Sequence, residues 1–311
     1  MVEERPEAEE PTEQLLVERG GVLLPRGTLQ LEPSIEYQHS SSNRVAISGF
    51  TILDAIVIGN IRVDDLKRDL VTGALTARYG ITDRIQAEVR APGVYRHDRE
   101  ILGVGTNDER ERSIDGINIG DVESTLSYQA VTQSTWRPAT ILRLSARFPT
   151  GKSAFDIGRE TIGPGGEQRL TEAPTGSGFY AVGAGTTMVW RTDPTVLFLG
   201  GSYRYNIPES FGEFGRIAPG ATFEWFAGTN IALTEVVSVN FSFVNQITEA
   251  TEQSGEEVSG TSTNDGRLVL GTSIGLSPRT SLVFSASAGL TSDSPDFDFS
   301  VRLPITFHPF D

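Results

Sequence analysis

Leu29-Gln-Leu-Glu-Pro-Ser-Ile-Glu-Tyr37 decides the architecture of this chain. Leu29, Leu31, Ile35 and Tyr37 fall on one side of an extended backbone; Gln30, Glu32, Ser34 and Glu36 fall on the other. A period of two with one apolar and one polar side is a β-strand. The alternation returns through Leu70–Tyr79, Arg84–Arg96, Ile119–Ala130, Thr140–Phe148, Phe179–Trp190 and Thr195–Tyr205. It continues through Ile217–Ala227, Val236–Asn245, Arg267–Leu276, Leu282–Thr291 and Phe297–Phe307. A dozen such segments with almost no helical periodicity predict a closed sheet whose apolar side faces lipid.

The connections alternate in length. Gly80–Asp83, Val131–Arg137, Arg191–Pro194, Gly228–Glu235 and Ser277–Thr280 are short; His97–Asp115, Thr150–Ser177, Ile207–Arg216 and Ile247–Asp265 are long, polar and glycine-rich. Outer-membrane barrels keep short turns in the periplasm and long loops outside the cell. Val45–Val63 departs from the pattern, being apolar without clean alternation. Counted as a strand it would make thirteen, whereas two periplasmic termini need an even count. The expectation is twelve strands, with Val45–Val63 as extracellular extensions of the first hairpin; a barrel of different count is the runner-up. About ten residues per strand, at ~3.3 Å rise and ~40° tilt, span roughly 25 Å, one membrane core. Twelve strands at ~4.8 Å spacing give a backbone diameter of about 24 Å, leaving on the order of 10 Å inside. A small solute fits there and a folded protein does not.

Two parts are expected: an acidic periplasmic tail over residues 1–27, and a single all-β, antiparallel, up-and-down transmembrane barrel over residues 28–311. The 311 residues include no cysteine, which excludes a disulfide scaffold and a thiolate metal site. Mean hydropathy is slightly negative, and no apolar run approaches the roughly 18 residues of a helical span. Alternation hides a barrel's hydrophobicity from such averages. A net charge of −15 argues against nucleic acid as a partner. Met1-Val2 is followed by acidic residues from Glu3 on, so the sequence reads as a mature chain with an added initiator Met. Residues 1–20 have the composition of a disordered tail. A short helix at Glu13–Arg19 is a candidate plug for the lumen, and residues 1–24 are a candidate contact for a periplasmic partner.

By the alternation Glu32, Glu36, Glu88, Asp121, Glu123, Glu224 and Asp298 point inward, as do Arg78, Arg90, Arg143, Arg147, Arg204, Arg267 and Arg302. An arginine on the lipid side would cost about 2–4 kcal/mol near the midplane. The signs balance, whereas an ion-selective pore carries a ring of one sign. A constriction for specific solutes is one reading, and a salt-bridge network that stiffens the wall is the other. Tyr37, Tyr79, Tyr95, Tyr128, Trp190, Tyr203, Tyr205, Trp225 and Phe307 sit near strand ends, where amphipathic rings form an interfacial belt. His39-Ser-Ser-Ser-Asn43 is the one enzyme-like cluster: His39 and Ser41 share a face, as in barrel lipid esterases in which histidine activates serine. A third group to orient His39 is not evident, although Asn43 is within reach; polar loop material is the simpler account. The acidic run Glu249–Asp265 lacks an EF-hand spacing and reads as a solvated loop. His97 and His308 have no metal-ligand partner at a usable spacing, so neither a metal nor a cofactor is expected.

Four motifs, in order, carry a family resemblance: Arg78-Tyr-Gly-Ile-Thr-Asp-Arg84, Ile119-Gly-Asp-Val122, Phe148-Pro-Thr-Gly151 and Ser292-Asp-Ser-Pro-Asp-Phe297. They resemble the turn, strand opening, strand exit and final-strand approach of the phenol-degradation MetA-pathway family of outer-membrane β-barrel proteins. The resemblance covers roughly Gly27 to the C-terminus and implies a barrel that carries small, often hydrophobic or aromatic, molecules. Val45–Val63 departs from the family's short first loop. The resulting expectation is a Gram-negative outer-membrane channel for passive passage of small molecules, in contact with lipid and lipopolysaccharide, and not an enzyme. Its alternatives are an export-associated or structural barrel with an occluded lumen, and a lipid esterase built on the His39-x-Ser41 pair.

Overall fold

The computed structural model describes residues 21–42, 63–102, 110–162 and 167–308. Twelve antiparallel strands close on themselves. They are β1 (Leu29–Ser42), β2 (Val63–Thr82), β3 (Ile85–Leu102), β4 (Arg110–Ile119 continued by Val122–Val131), β5 (Ala139–Phe148) and β6 (Ala181–Arg191). After these come β7 (Thr195–Asn206), β8 (Thr222–Ala232), β9 (Val237–Thr248), β10 (Thr263–Ser277), β11 (Thr280–Gly289) and β12 (Phe297–Arg302 continued by Ile305–Phe307). Each strand pairs with the next, and β12 returns to β1 with Val301 opposite Ile35. Closure pairs β1 with β12, so neither is left as an open edge of the barrel. Residues 45–62 and Glu13–Arg19 lie outside the described residues.

The two sides of the wall differ as the alternation requires. Ile35, Leu75, Val89, Leu142, Leu199, Leu270 and Phe299 stand exposed on the outside. Gln30, Thr76, Gln86, Thr187, Asn230, Ser238 and Ser273 are buried inside. An apolar shell around a buried polar interior suits hydrocarbon outside and inverts the pattern of a soluble core.

Two strands are interrupted, each beside a proline. Gly120 N donates to the Pro92 carbonyl at 2.8 Å, and Leu303 N to the Pro33 carbonyl at 3.0 Å. Proline has no N–H to return the bond, so the ladder skips. At Gly120–Asp121 the skip reverses the phase of β4: Ile117 and Ile119 face outward before it, Leu126 and Tyr128 after it.

Several expected boundaries shift. His97–Asp115 is not a loop: β3 continues to Leu102 and β4 starts at Arg110. Both faces are polar there, because the outward residues stand above the apolar band, and this removes the alternation signal. The strand expected at Ile217–Ala227 is Thr222–Ala232, which leaves Leu233–Val236 as its turn. Ile217 instead belongs to a small sheet of Glu209–Ser210, Arg216–Ala218, Glu252–Gln253 and Glu256–Glu257, built from the loops at 207–221 and 249–262. Phe179 is a buried loop residue and not part of β6.

Asp121 anchors the long loop at 149–180. It accepts bonds from Gly151 N at 3.1 Å, Ser177 N at 2.9 Å and Ser177 Oγ at 2.6 Å. Glycine is required on both flanks: a Cβ on Gly151 would stand 2.6 Å from Gly176 Cα. Asp121→Ala removes all three acceptors, and its expected result is faster proteolysis within 150–177 while the barrel stays resistant. An unchanged cleavage rate would show that the loop is held by other contacts.

Candidate functional site: the interior and its two mouths

The interior is assembled from charged ladders on one side and an apolar patch on the other. Near the short-turn rim Arg78 on β2 is the hub. Its Nε lies 2.7 Å from Glu88 Oε2, and its Nη1 lies 3.1 Å from both Glu32 Oε2 and Gln30 Oε1. On β10–β12, Arg267 reaches Asp265 at 3.2 Å and Asp298 at 3.4 Å, and Ser287 also donates to Asp298. Arg302 donates to Ser285 Oγ at 2.8 Å. Toward the long-loop rim Arg147 donates to Asn206 Oδ1 at 2.7 Å, and Arg204 lies 3.7 Å from Glu123. Glu36, Arg90, Arg143 and Glu224 share the inward phase of their strands.

The sequence reading missed Arg68, Arg96 and Asp98 as a site. Arg68 Nε and Nη2 meet Asp98 at 2.8 and 3.0 Å, and Arg96 Nε meets the same carboxylate at 3.0 Å. Arg96 and Asp98 are each 1 % exposed. Arg96 Nη1 also donates to the Pro174 carbonyl at 3.4 Å, joining the triad to the long loop. Asp98 lies beyond the strand expected to end at Arg96, and Arg68 lies before the one expected to start at Leu70, so neither shows its inward phase; Arg96 closes its expected strand.

Also missed was the apolar patch on β5–β9: Ala139, Val189, Val196, Phe198, Phe226 and Val244. Its signal was present in Thr195-Val-Leu-Phe-Leu199, where apolar residues occupy both phases. Two phenyl rings lie along the wall, each over the glycine paired with it on the neighbouring strand: Phe198 over Gly228 and Phe226 over Gly200. A Cβ on Gly228 would stand 2.6 Å from Phe198 Cζ, and one on Gly200 2.8 Å from Phe226 Cε2. Each glycine therefore keeps a ring flat and out of the lumen. Gly200→Val is expected to swing Phe226 inward and lower solute flux several-fold in a barrel freed of its N-terminal segment. Equal flux in the two barrels would show that the ring does not border the path.

The short-turn mouth is crossed by the chain preceding β1. Gly27 N bonds Gly80 O at 2.8 Å, Arg26 N bonds Asp83 Oδ1 at 3.2 Å, and Leu24 N bonds Gln86 Oε1 at 2.9 Å. Val22 packs against the apolar patch. A cavity of about 640 Å³ remains between Gly21–Leu23 and Gln129, Gln133, Trp190 and Arg191.

On the outer face the aromatic residues form two rows. Tyr79, Tyr128, Trp190 and Phe307 lie toward the short-turn rim; Tyr37, Tyr95, Tyr203, Tyr205 and Trp225 lie toward the long-loop rim. Above Tyr37 and Tyr95 runs a cross-strand row of His39, Asp69, His97 and Asp115. Asp69 orients His39: His39 Nδ1 lies 2.8 Å from Asp69 Oδ1, which also accepts from Tyr37 at 2.6 Å; Asn43 lies outside the described residues. His97 and Tyr95 repeat the arrangement on Asp115 at 2.8 and 2.9 Å. Hydrogen bonds from His97 and then Tyr95 hold the Asp115 carboxyl below the usual carboxylate range. Ser41 shares the outer face with His39 but donates to Asp296 Oδ2 at 2.5 Å. The repeat carries Arg99 where the first copy has Ser41. The motif recurs without the serine, as a histidine and a tyrosine that share one carboxylate. Among the described residues no three His, Asp or Glu side chains converge as a metal site.

The fold and interior define a closed, twelve-stranded barrel of the outer-membrane type. The chain is similar to an outer-membrane channel from Pseudomonas putida F1, with a TM-score of 0.62 at 14% identity, covering 92% of this chain and 98% of that one. It is also similar to the translocator domain of the autotransporter NalP from Neisseria meningitidis, with a TM-score of 0.50 at 11% identity, covering 94% and 92%. No family model matches the chain.

Proposed function

We propose that the protein is an outer-membrane channel for passive passage of small, hydrophobic or aromatic molecules, held closed at rest by the segment before β1. One observation carries this reading: the interior pairs an apolar track (Val189, Val196, Phe198, Phe226, Val244) with a balanced set of charges, and Val22 packs against the track. A solute with an apolar body and a polar group matches both sides. Balanced signs give no preference for either ion. The fourteen inward charges would act as the constriction around that path. The apolar wall would contact lipid, with lipopolysaccharide at the long-loop rim and the tail of residues 1–27 in the periplasm. The motif at Arg78–Arg84 and its three companions support the narrower placement in the phenol-degradation MetA-pathway family.

Solute-dependent swelling of liposomes containing the purified barrel is the test. Uptake of small uncharged solutes, faster for those with apolar bodies, is expected once the segment is removed. The dense interior favours a second reading, an occluded barrel serving an export or structural partner. That reading predicts no flux from a well-folded preparation with or without residues 1–24.

A further inference from the structure

Four phenyl rings meet at the long-loop mouth, away from the interior patch. Phe155 and Phe179 come from the loop at 149–180; Phe211 and Phe214 come from the loop at 207–221. Phe155 and Phe211 lie face to face, with centroids 3.4 Å apart and planes 8° from parallel. Phe179 presents its ring at a steep angle to both, at 5.8 Å and 81° to Phe155 and at 5.3 Å and 80° to Phe211. Phe179 is buried at 1 % exposure, whereas Phe155, Phe211 and Phe214 are half-buried. The Arg159 guanidinium sits 4.2 Å from the centroid of Phe214.

Two properties separate this cluster from a small loop core. The first is stacking. Ring faces carry like-signed quadrupole charge, so aromatic pairs favour offset or edge-to-face contact over an eclipsed sandwich. The Phe155–Phe211 sandwich is the unfavourable arrangement, while the contacts of Phe179 are the favourable one. The second is mounting. The Phe155 loop is pinned to the barrel wall by Asp121. Phe211 and Phe214 ride a turn closed by Phe211 N to Gly215 O at 3.0 Å, with Gly212 at φ +40° and Gly215 at φ +69°. That turn belongs to the small sheet, to which Gln253 Nε2 ties it through Phe214 O at 2.9 Å. The two leaves of the sandwich therefore belong to separate loop systems.

We propose that Phe155 and Phe211 form an entry site for a planar aromatic molecule, which inserts between the two rings over the floor made by Phe179. The leaves part by about 3.5 Å, one carbon–carbon contact distance. A guest ring can then take an offset position against each leaf and replace one poor stack by two good ones. A saturated ring is too thick for that gap and has no π-face. The site thus selects aromatic over aliphatic rings of equal size, before the solute reaches the interior track. The proposal rests on the channel reading for its role, though not for the binding itself.

The test uses the full chain in lipid nanodiscs with benzyl alcohol and its saturated counterpart cyclohexylmethanol as probes. Saturation-transfer NMR is expected to show benzyl alcohol bound and cyclohexylmethanol bound at least tenfold more weakly. Phe155→Leu and Phe211→Leu should each lose the benzyl alcohol signal, and Phe211→Tyr should keep it. In the unmodified chain, intermolecular NOEs should run from benzyl alcohol to the ring protons of Phe155 and Phe211. This last measurement needs no variant to fold. NOEs absent from these rings, or equal binding of the two probes, would overturn the site. If benzyl alcohol binds at the rings but no preparation passes solute, the site stands and the channel reading falls. Flux without binding at the rings has the opposite meaning.

Discussion

Deleting residues 1–24 should raise solute-driven liposome swelling from near background to a rate that rises with protein content. Residues 21–24 contribute the Leu24 N to Gln86 bond at 2.9 Å and the packing of Val22 on the apolar patch. The retained residues keep the start of β1 in place, because Arg26 N still meets Asp83 and Gly27 N still meets Gly80 O at 2.8 Å. The deletion therefore changes the mouth and not the strand register. A milder variant makes the same point: Val22→Asp sets a charge against the apolar patch, and desolvating it there costs more than these contacts of residues 21–24 return. It should raise swelling in the full-length chain. If a heat-modifiable, folded deletion variant still passes nothing, the segment is not the gate and the occluded-barrel reading gains.

Asp98→Ala should be among the most damaging single substitutions in the chain, at about 3–5 kcal/mol of folding stability. Arg68 and Arg96 converge on one carboxylate that is 1 % exposed. Removing it leaves two guanidinium groups facing each other in a buried place. The cost comes from taking away the carboxylate that two buried guanidinium groups share, more than from the worth of the ion pairs themselves. The triple variant Arg68→Met, Arg96→Met, Asp98→Leu should accordingly recover much of the loss. Guanidinium unfolding of micelle-bound protein reads both results. A second readout follows from Arg96 Nη1, which holds the Pro174 carbonyl at 3.4 Å. Asp98→Ala should loosen the loop at 149–180 to protease as well. A midpoint within error of the parent would mean that water reaches this triad and screens it.

The barrel was legible in the sequence because its physics is periodic. Leu29–Tyr37 must put one face into each environment, and a closed sheet of twelve strands follows from a dozen such segments. The inward phase of Arg78 or Arg147 can be counted directly from their neighbours. Two things were not legible. Where a strand has the same polarity on both faces, alternation vanishes: His97–Asp115 looks like loop because both sides are wet, and Thr195–Leu199 signals an apolar inner side at Phe198 only to a reader who counts both phases. The loops are the other case. Phe155 and Phe211 are 56 positions apart in the chain, and nothing periodic links them. Asp69, which orients His39, needs the β1–β2 register before it can be paired with it.

The unequal strands carry one more consequence. β2 has 20 residues and β3 has 18, against 10 in β5 and 11 in β6. At ~3.3 Å per residue the first pair runs to about 60 Å and the second to about 35 Å. If one hydrocarbon slab belts them all, the cylinder is cut obliquely, with a parapet on the β2–β3 side and a low sill on the β5–β6 side. Molecules drifting through the saccharide layer above would then be turned toward the sill, and traffic would arrive from one compass direction.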